Sequence, residues 1–118
     1  MAAAAGGVTT VVEMPQAHPT TTTAALLREK AEIVGRAAIV DTALWGGATL
    51  ANGQTEDDLR EMAAAGAAAF KSFMASSSPF FPAVDAARLM AVMRVAAETG
   101  LSYGLHAEGD ALLKDGIA

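Results

Sequence analysis

The chain has 118 residues, of which 53% are hydrophobic and 18% charged, a balance that suits one packed domain and excludes a disordered chain. Its net charge of −5 comes with no basic cluster, which argues against nucleic acid as a partner, because neutralising phosphates needs a basic face. There is no cysteine, hence no disulfide framework and no thiolate chemistry, and the apolar runs fall short of the roughly 20 residues that cross a bilayer.

The N-terminal "MAAAAGGVTTVV" has no basic n-region, so no secretory signal is read there and a cytoplasmic location is expected. A first strand is predicted over 7–14, "GVTTVVEM", running into Glu13, Pro15, Gln16 and His18. A helix follows over 22–35, with Leu26, Leu27, Ile33 and Val34 on one side and Arg28, Glu29 and Glu32 available to solvent. The second strand is placed over 37–44, "AAIVDTAL", with Trp45, Gly46 and Gly47 at its end. Residues 55–65 read as a helix that opens on Thr55, with Asp58 three places later as in a capping box, and closes at Gly66. The third strand covers 67–74, "AAAFKSFM", and holds Lys71, with Ser76, Ser77 and Ser78 beyond it. A helix over 85–99 has Asp85 as N-cap, buries Leu89, Met93, Ala96 and Ala97, and closes at Gly100. Met90 and Met93 read as packing residues. The fourth strand, 101–107, "LSYGLHA", leads to His106 and Glu108.

Strands that begin at 7, 37, 67 and 101, with helices between them, mean βαβ units and a parallel sheet. Two architectures fit this α/β order: an open doubly wound sheet, or part of a (β/α)8 barrel. In both, ligand groups gather at the carboxyl ends of the strands, and the polar residues named above fall there. They form a site or they are ordinary loop residues; the pattern alone leaves both open. Lys71 poses the sharpest question, because an ammonium group in an apolar strand is costly to bury. Either the side chain snorkels to the rim or the amine does chemistry.

The strings "AAAAGGVTTVVEMP", "FKSFM" and "GLHAE", in this order, resemble the cyclic amidohydrolases, the group of allantoinase, dihydroorotase and hydantoinase. His106 follows Lys71 by 35 positions, about one strand–helix–strand unit. "WGG" at 45–47 and "SSSPFFPAVDAARL" at 76–89 look most like the allantoinase branch. The resemblance implies a partial TIM barrel of four parallel βα units, barrel strands two to five. Residues 1–118 would then be an internal segment of a metal-dependent barrel domain, since a whole barrel takes about 250 residues.

It also implies that the Lys71 amine combines with carbon dioxide and that the resulting carbamate bridges two divalent metal ions, zinc by expectation. His106 would bind one of them. The implied reaction is hydrolysis of a cyclic amide or ureide by a metal-activated water. Allantoin is the first choice of substrate, with dihydroorotate or a hydantoin as alternatives. The family's asparagine after "MP" is matched by Gln16, and a substrate-holding hydantoinase tyrosine is matched by Ser76; both are carried as substrate-binding positions. His18 reads as an exposed loop residue, Trp45 as rim packing, and Glu108 as either orienting His106 or solvated. No catalytic residue is expected within the segment. A His-x-His pair is expected before residue 1, and a histidine and an aspartate after residue 118. The parent is expected to be a dimer or tetramer. The isolated chain is expected to be poorly soluble or to associate, and to be inactive. Two other classes remain: an inactive amidohydrolase-like scaffold, and an independent open-sheet binding domain.

Overall fold

A computed structural model describes residues 1–75 and 78–116. The elements run α1 (Ala2–Ala5), β1 (Thr10–Glu13), α2 (Ala24–Ala37), β2 (Asp41–Gly47), α3 (Glu56–Ala64), β3 (Ala69–Phe73), α4 (Ala86–Thr99), β4 (Ser102–His106) and α5 (Asp110–Gly116). Helix ends form where side chains can satisfy the free backbone groups of the first turn. The Thr55 hydroxyl accepts from the Asp58 amide while the Asp58 carboxylate accepts from the Thr55 amide, a complete capping box at α3. Asp85 caps α4 by accepting from the Arg88 amide at 2.8 Å. α4 stops at Gly100, whose φ of +71° suits a residue without Cβ.

The second strand differs from its expected position. Thr23 caps α2 through the Leu26 amide, and the helix then continues to Ala37 because nothing before Ala38 breaks it. β2 therefore starts at Asp41 and takes in Trp45, Gly46 and Gly47, which the sequence reading had put at the strand's end. The two glycines serve close approach rather than a turn. A Cβ on Gly46 would lie 3.2 Å from the Phe70 ring, and one on Gly47 would lie 2.7 Å from the Phe81 ring and 3.0 Å from the Thr21 carbonyl.

The four strands are all parallel and stand in the order β1-β2-β3-β4. Sequential order has no reversal point, so the sheet is an arc of a barrel and not a doubly wound sheet. Val12 pairs with Ala43, Gly47 with Lys71, Lys71 with Gly104 and Phe73 with His106. Alternation puts Leu44, Gly46, Phe70, Ser72 and Tyr103 on one face. That face packs on Leu27 of α2, Leu59 and Met62 of α3, and Val92, Val95 and Ala96 of α4. The opposite face carries Val12, Ala43, Trp45, Ala69, Lys71, Phe73, Gly104 and His106.

α4 presents Ala91, Val92, Val95 and Ala96 to this core. Met90 and Met93 are 54% and 48% exposed and Ala97 is exposed, so the expected packing of Met93 and Ala97 is not what the helix does. Ile33 of α2 also faces outward. Among the described residues, no helix is long and apolar enough to cross a membrane.

Candidate functional site

The centre of the sheet fixes the backbone around Lys71. The Ala48 amide, just past β2, donates to the Lys71 carbonyl at 2.9 Å. The fully buried Ser72 hydroxyl donates to the Ala48 carbonyl. Ala48 is thus held at both its amide and its carbonyl by residues 71 and 72. The Lys71 side chain leaves on the face away from the helices and is half-buried. Its Nζ stands 4.8 Å from the centroid of the Phe73 ring, a cation–π distance, and no carboxylate among the described residues pairs with it.

Phe73 links the two residues singled out by the sequence. Its ring meets Phe81 edge-on at 5.5 Å and stacks on the His106 imidazole at 5.4 Å with 29° between the planes. His106 is half exposed, and its Nε2 lies 3.0 Å from Glu108 Oε1. Of the two readings for Glu108, the structure has the pair. Lys71 and His106 therefore share one face, on adjacent strands, with Phe73 in contact with both. The His106 imidazole and the Glu108 carboxylate are ready metal donors, whereas an ammonium has no lone pair to give. Among the described residues, no group of three or more His, Asp or Glu side chains could hold a metal ion by itself.

The other sequence candidates lie apart from this pair. Gln16 is exposed in the turn that follows β1. β1 and β4 are opposite edges of the arc, so about three strand spacings, or ~14 Å, separate their ends. Ser76, with Ser77, lies outside the described residues. His18 is exposed and tilts against Phe80 at 5.2 Å, at the mouth of a cleft of about 320 Å³ that Thr20, Thr22, Thr49 and Gln54 also line. Trp45 is not on the rim: it stands within β2, on the Lys71 face.

Gln54 was not anticipated, although it organises the carboxyl end of the first two strands. Its Oε1 accepts from the amides of Thr49 and Leu50 at 2.8 and 2.9 Å and from the Thr49 hydroxyl at 3.2 Å. Its Nε2 donates to the carbonyls of Thr22 and Gly47, both at 2.7 Å. One amide side chain thereby joins the loop before α2 to the loop before α3. A single glutamine in a turn-rich "NGQT" has no periodic signature that would reveal this. On the helix-covered face, burial pushes the Tyr103 hydroxyl above its ordinary pKa.

No family model matches the chain. It is 45% identical over 113 residues to an allantoinase of Bacillus velezensis, an alignment that takes in 94% of this chain and 24% of that protein. It is 39% identical over 113 residues to an L-hydantoinase of Paenarthrobacter aurescens, covering 95% of this chain and 24% of the relative. The solved L-hydantoinase (dihydropyrimidinase) from Arthrobacter aurescens superposes with a TM-score of 0.89 at 38% identity, over 96% of this chain and 25% of that one. The chain spans about a quarter of the length of the curated relatives it matches. With the sequential four-strand arc and the Lys71–Phe73–His106 face in place, these similarities have one reading: the chain belongs to the cyclic amidohydrolases, the family of the allantoinases and hydantoinases.

Proposed function

We propose that residues 1–118 are barrel strands two to five of a binuclear-metal cyclic amidohydrolase that opens a ring C–N amide bond, with allantoin as its substrate. One observation carries this reading: Lys71 and His106 share the helix-free face, on adjacent strands, in a chain 45% identical to an allantoinase. The donor set suits the metals once Lys71 is carboxylated. The neutral amine attacks carbon dioxide, an N–C bond forms, and the nitrogen releases a proton to solvent. The product is an anion whose two oxygens can face two cations. At His106, a proton held on Nε2 by Glu108 leaves the Nδ1 lone pair for a metal. Two divalent cations, zinc for such nitrogen and oxygen donors, would supply an activated water and a polarised ring carbonyl when bound. Phe73 packs beside both donors.

Gln16 after β1 and Ser76 after β3 complete the reading as substrate contacts at the carboxyl ends of strands. On this reading no catalytic residue falls within residues 1–118. An assembly of two or four copies and a cytoplasmic location belong to the same proposal. A hydantoin is the second choice of substrate, favoured by the 0.89 TM-score to an L-hydantoinase.

The test is to assay the full-length protein that carries these residues against allantoin, hydantoin and dihydroorotate, beside Lys71→Ala and His106→Ala. Allantoin hydrolysis that both variants abolish is the expected result. Activity that survives Lys71→Ala, or hydrolysis of none of the three rings, overturns the proposal.

A further inference from the structure

Gly104 sits on β4 directly beside Lys71. Its φ is not in the left-handed region, so backbone conformation does not demand a glycine there. Space does. A Cβ at this position would stand 2.7 and 2.8 Å from two carbons at the far edge of the Trp45 indole, nearer than real Cβ atoms come. The same point is 3.6 Å from Lys71 Cδ. Trp45 belongs to β2, where it pairs with Ala69 of β3. To reach Gly104 its ring must cross β3 on the helix-free face, and Ala69 is the small, buried residue on that path. The indole edge and the Lys71 stem therefore converge over the one residue of β4 that lacks a side chain. Both the indole edge and the Lys71 stem thus border the space above Gly104, and the Phe73 ring lies at the amine.

We propose that Trp45 and Gly104 are a size-matched pair that positions Lys71. The indole acts as a floor that holds the lysine stem extended toward the carboxyl end of β3. Gly104 is the gap that admits the ring. The pair is a positioning device and touches neither substrate nor the reacting atoms. A lysine stem has several freely rotating bonds, and a wall along it removes conformers that point the amine elsewhere. A methyl group on residue 104 would push the indole into that stem. A shorter ring at residue 45 would leave the stem unsupported. This inference rests on the carboxylated-lysine reading above.

The experiment uses the full-length protein, loaded with zinc in ¹³C-bicarbonate, as wild type, Gly104→Ala, Trp45→Phe and the double variant. The readouts are the carbamate ¹³C resonance per folded protein, bound zinc, kcat and KM separately, and Tm. Gly104→Ala is expected to lower carbamate occupancy about tenfold and kcat with it, at unchanged KM. Trp45→Phe is expected to lower occupancy severalfold without a steric clash. The double variant should be no worse than Trp45→Phe alone, because the smaller ring makes room for the methyl group and the two losses do not add. Singles that lower Tm but keep wild-type carbamate and kcat make the pair mere packing and overturn the proposal. If Gly104→Ala does not fold, Trp45→Phe decides alone: wild-type occupancy in that variant overturns the proposal. A wild-type protein without the carbamate resonance overturns the carboxylated-lysine reading as well. A wild-type protein that has it, with variants that keep it, overturns only the role of the pair.

Discussion

Along β1 to β4, residues of one parity lie under α2, α3 and α4, and residues of the other parity have no helix over them among the described residues. Phe70 is 0% exposed on the first face; Val12 is 50% exposed on the second. Yet both faces are largely apolar. In a two-layer fold the bare face would be polar, because one side of such a sheet meets water. An apolar, helix-free face that bears one lysine and one histidine suits the interior of a barrel, where the cover comes from strands across the axis. The contrast teaches that helices bury the centre of one face, while the opposite face, which bears Lys71 and His106, is left largely open.

This comparison can be broken or sharpened by substitution. The largest effect is expected for Phe70→Ala, about 3–5 kcal/mol in denaturant unfolding, since it opens a cavity among Leu59, Met62 and Val92. Val12→Ala on the bare face should cost under about 0.5 kcal/mol in the same 118-residue chain. Equal losses would mean that the two faces are equally covered in solution. Next comes Gln54→Ala, about 1–3 kcal/mol, because the carbonyls of Thr22 and Gly47 and the amides of Thr49 and Leu50 lose their partner together. A Gln54→Ala chain as stable as the parent would show that these loops hold themselves.

Thr55→Ala removes the capping box of α3, on the helix layer and away from either sheet face, and should cost about 1 kcal/mol. Thermal unfolding would read this loss. The smallest effect concerns pH. Burial raises the Tyr103 pKa in the folded state, so the unfolded chain releases this proton first as pH rises. The corresponding stability is intact below the ordinary tyrosine range and is lost as pH climbs through the raised value. Urea midpoints measured from pH 8 to 11 should therefore fall less steeply at the alkaline end in Tyr103→Phe. A parallel fall in both proteins would place the hydroxyl in water.

Much of the fold was legible because its signals are local. Thr55 with Asp58, Asp85, Gly66 and Gly100 mark helix ends through contacts within one turn of backbone. Lys71 in "FKSFM" stood out because an ammonium group in an apolar strand is costly to bury, and His106 in "GLHAE" stood out through the resemblance to the cyclic amidohydrolases. The strand–helix period announced the parallel sheet.

What stayed hidden depends on partners distant in the chain. "AAIV" at 37–40 suits a helix or a strand, and only the pairing of Asp41–Leu44 with Thr10–Glu13 decides where β2 begins. Trp45 moved from the rim to the face beside Lys71 for the same reason. Met90 and Met93 have the hydrophobicity of core residues, yet the angle at which α4 meets the sheet turned Ala91, Val92, Val95 and Ala96 inward instead. Gln54 gains its role from four backbone groups that only the folded loops bring within 3 Å. Sequence by itself determined most of the elements and their order, because short-range sterics and hydrogen bonding write those into neighbouring positions. Tertiary structure alone decided register, face and the Trp45–Gly104 fit, because these are set by which atoms meet across strands, and no local pattern records that meeting.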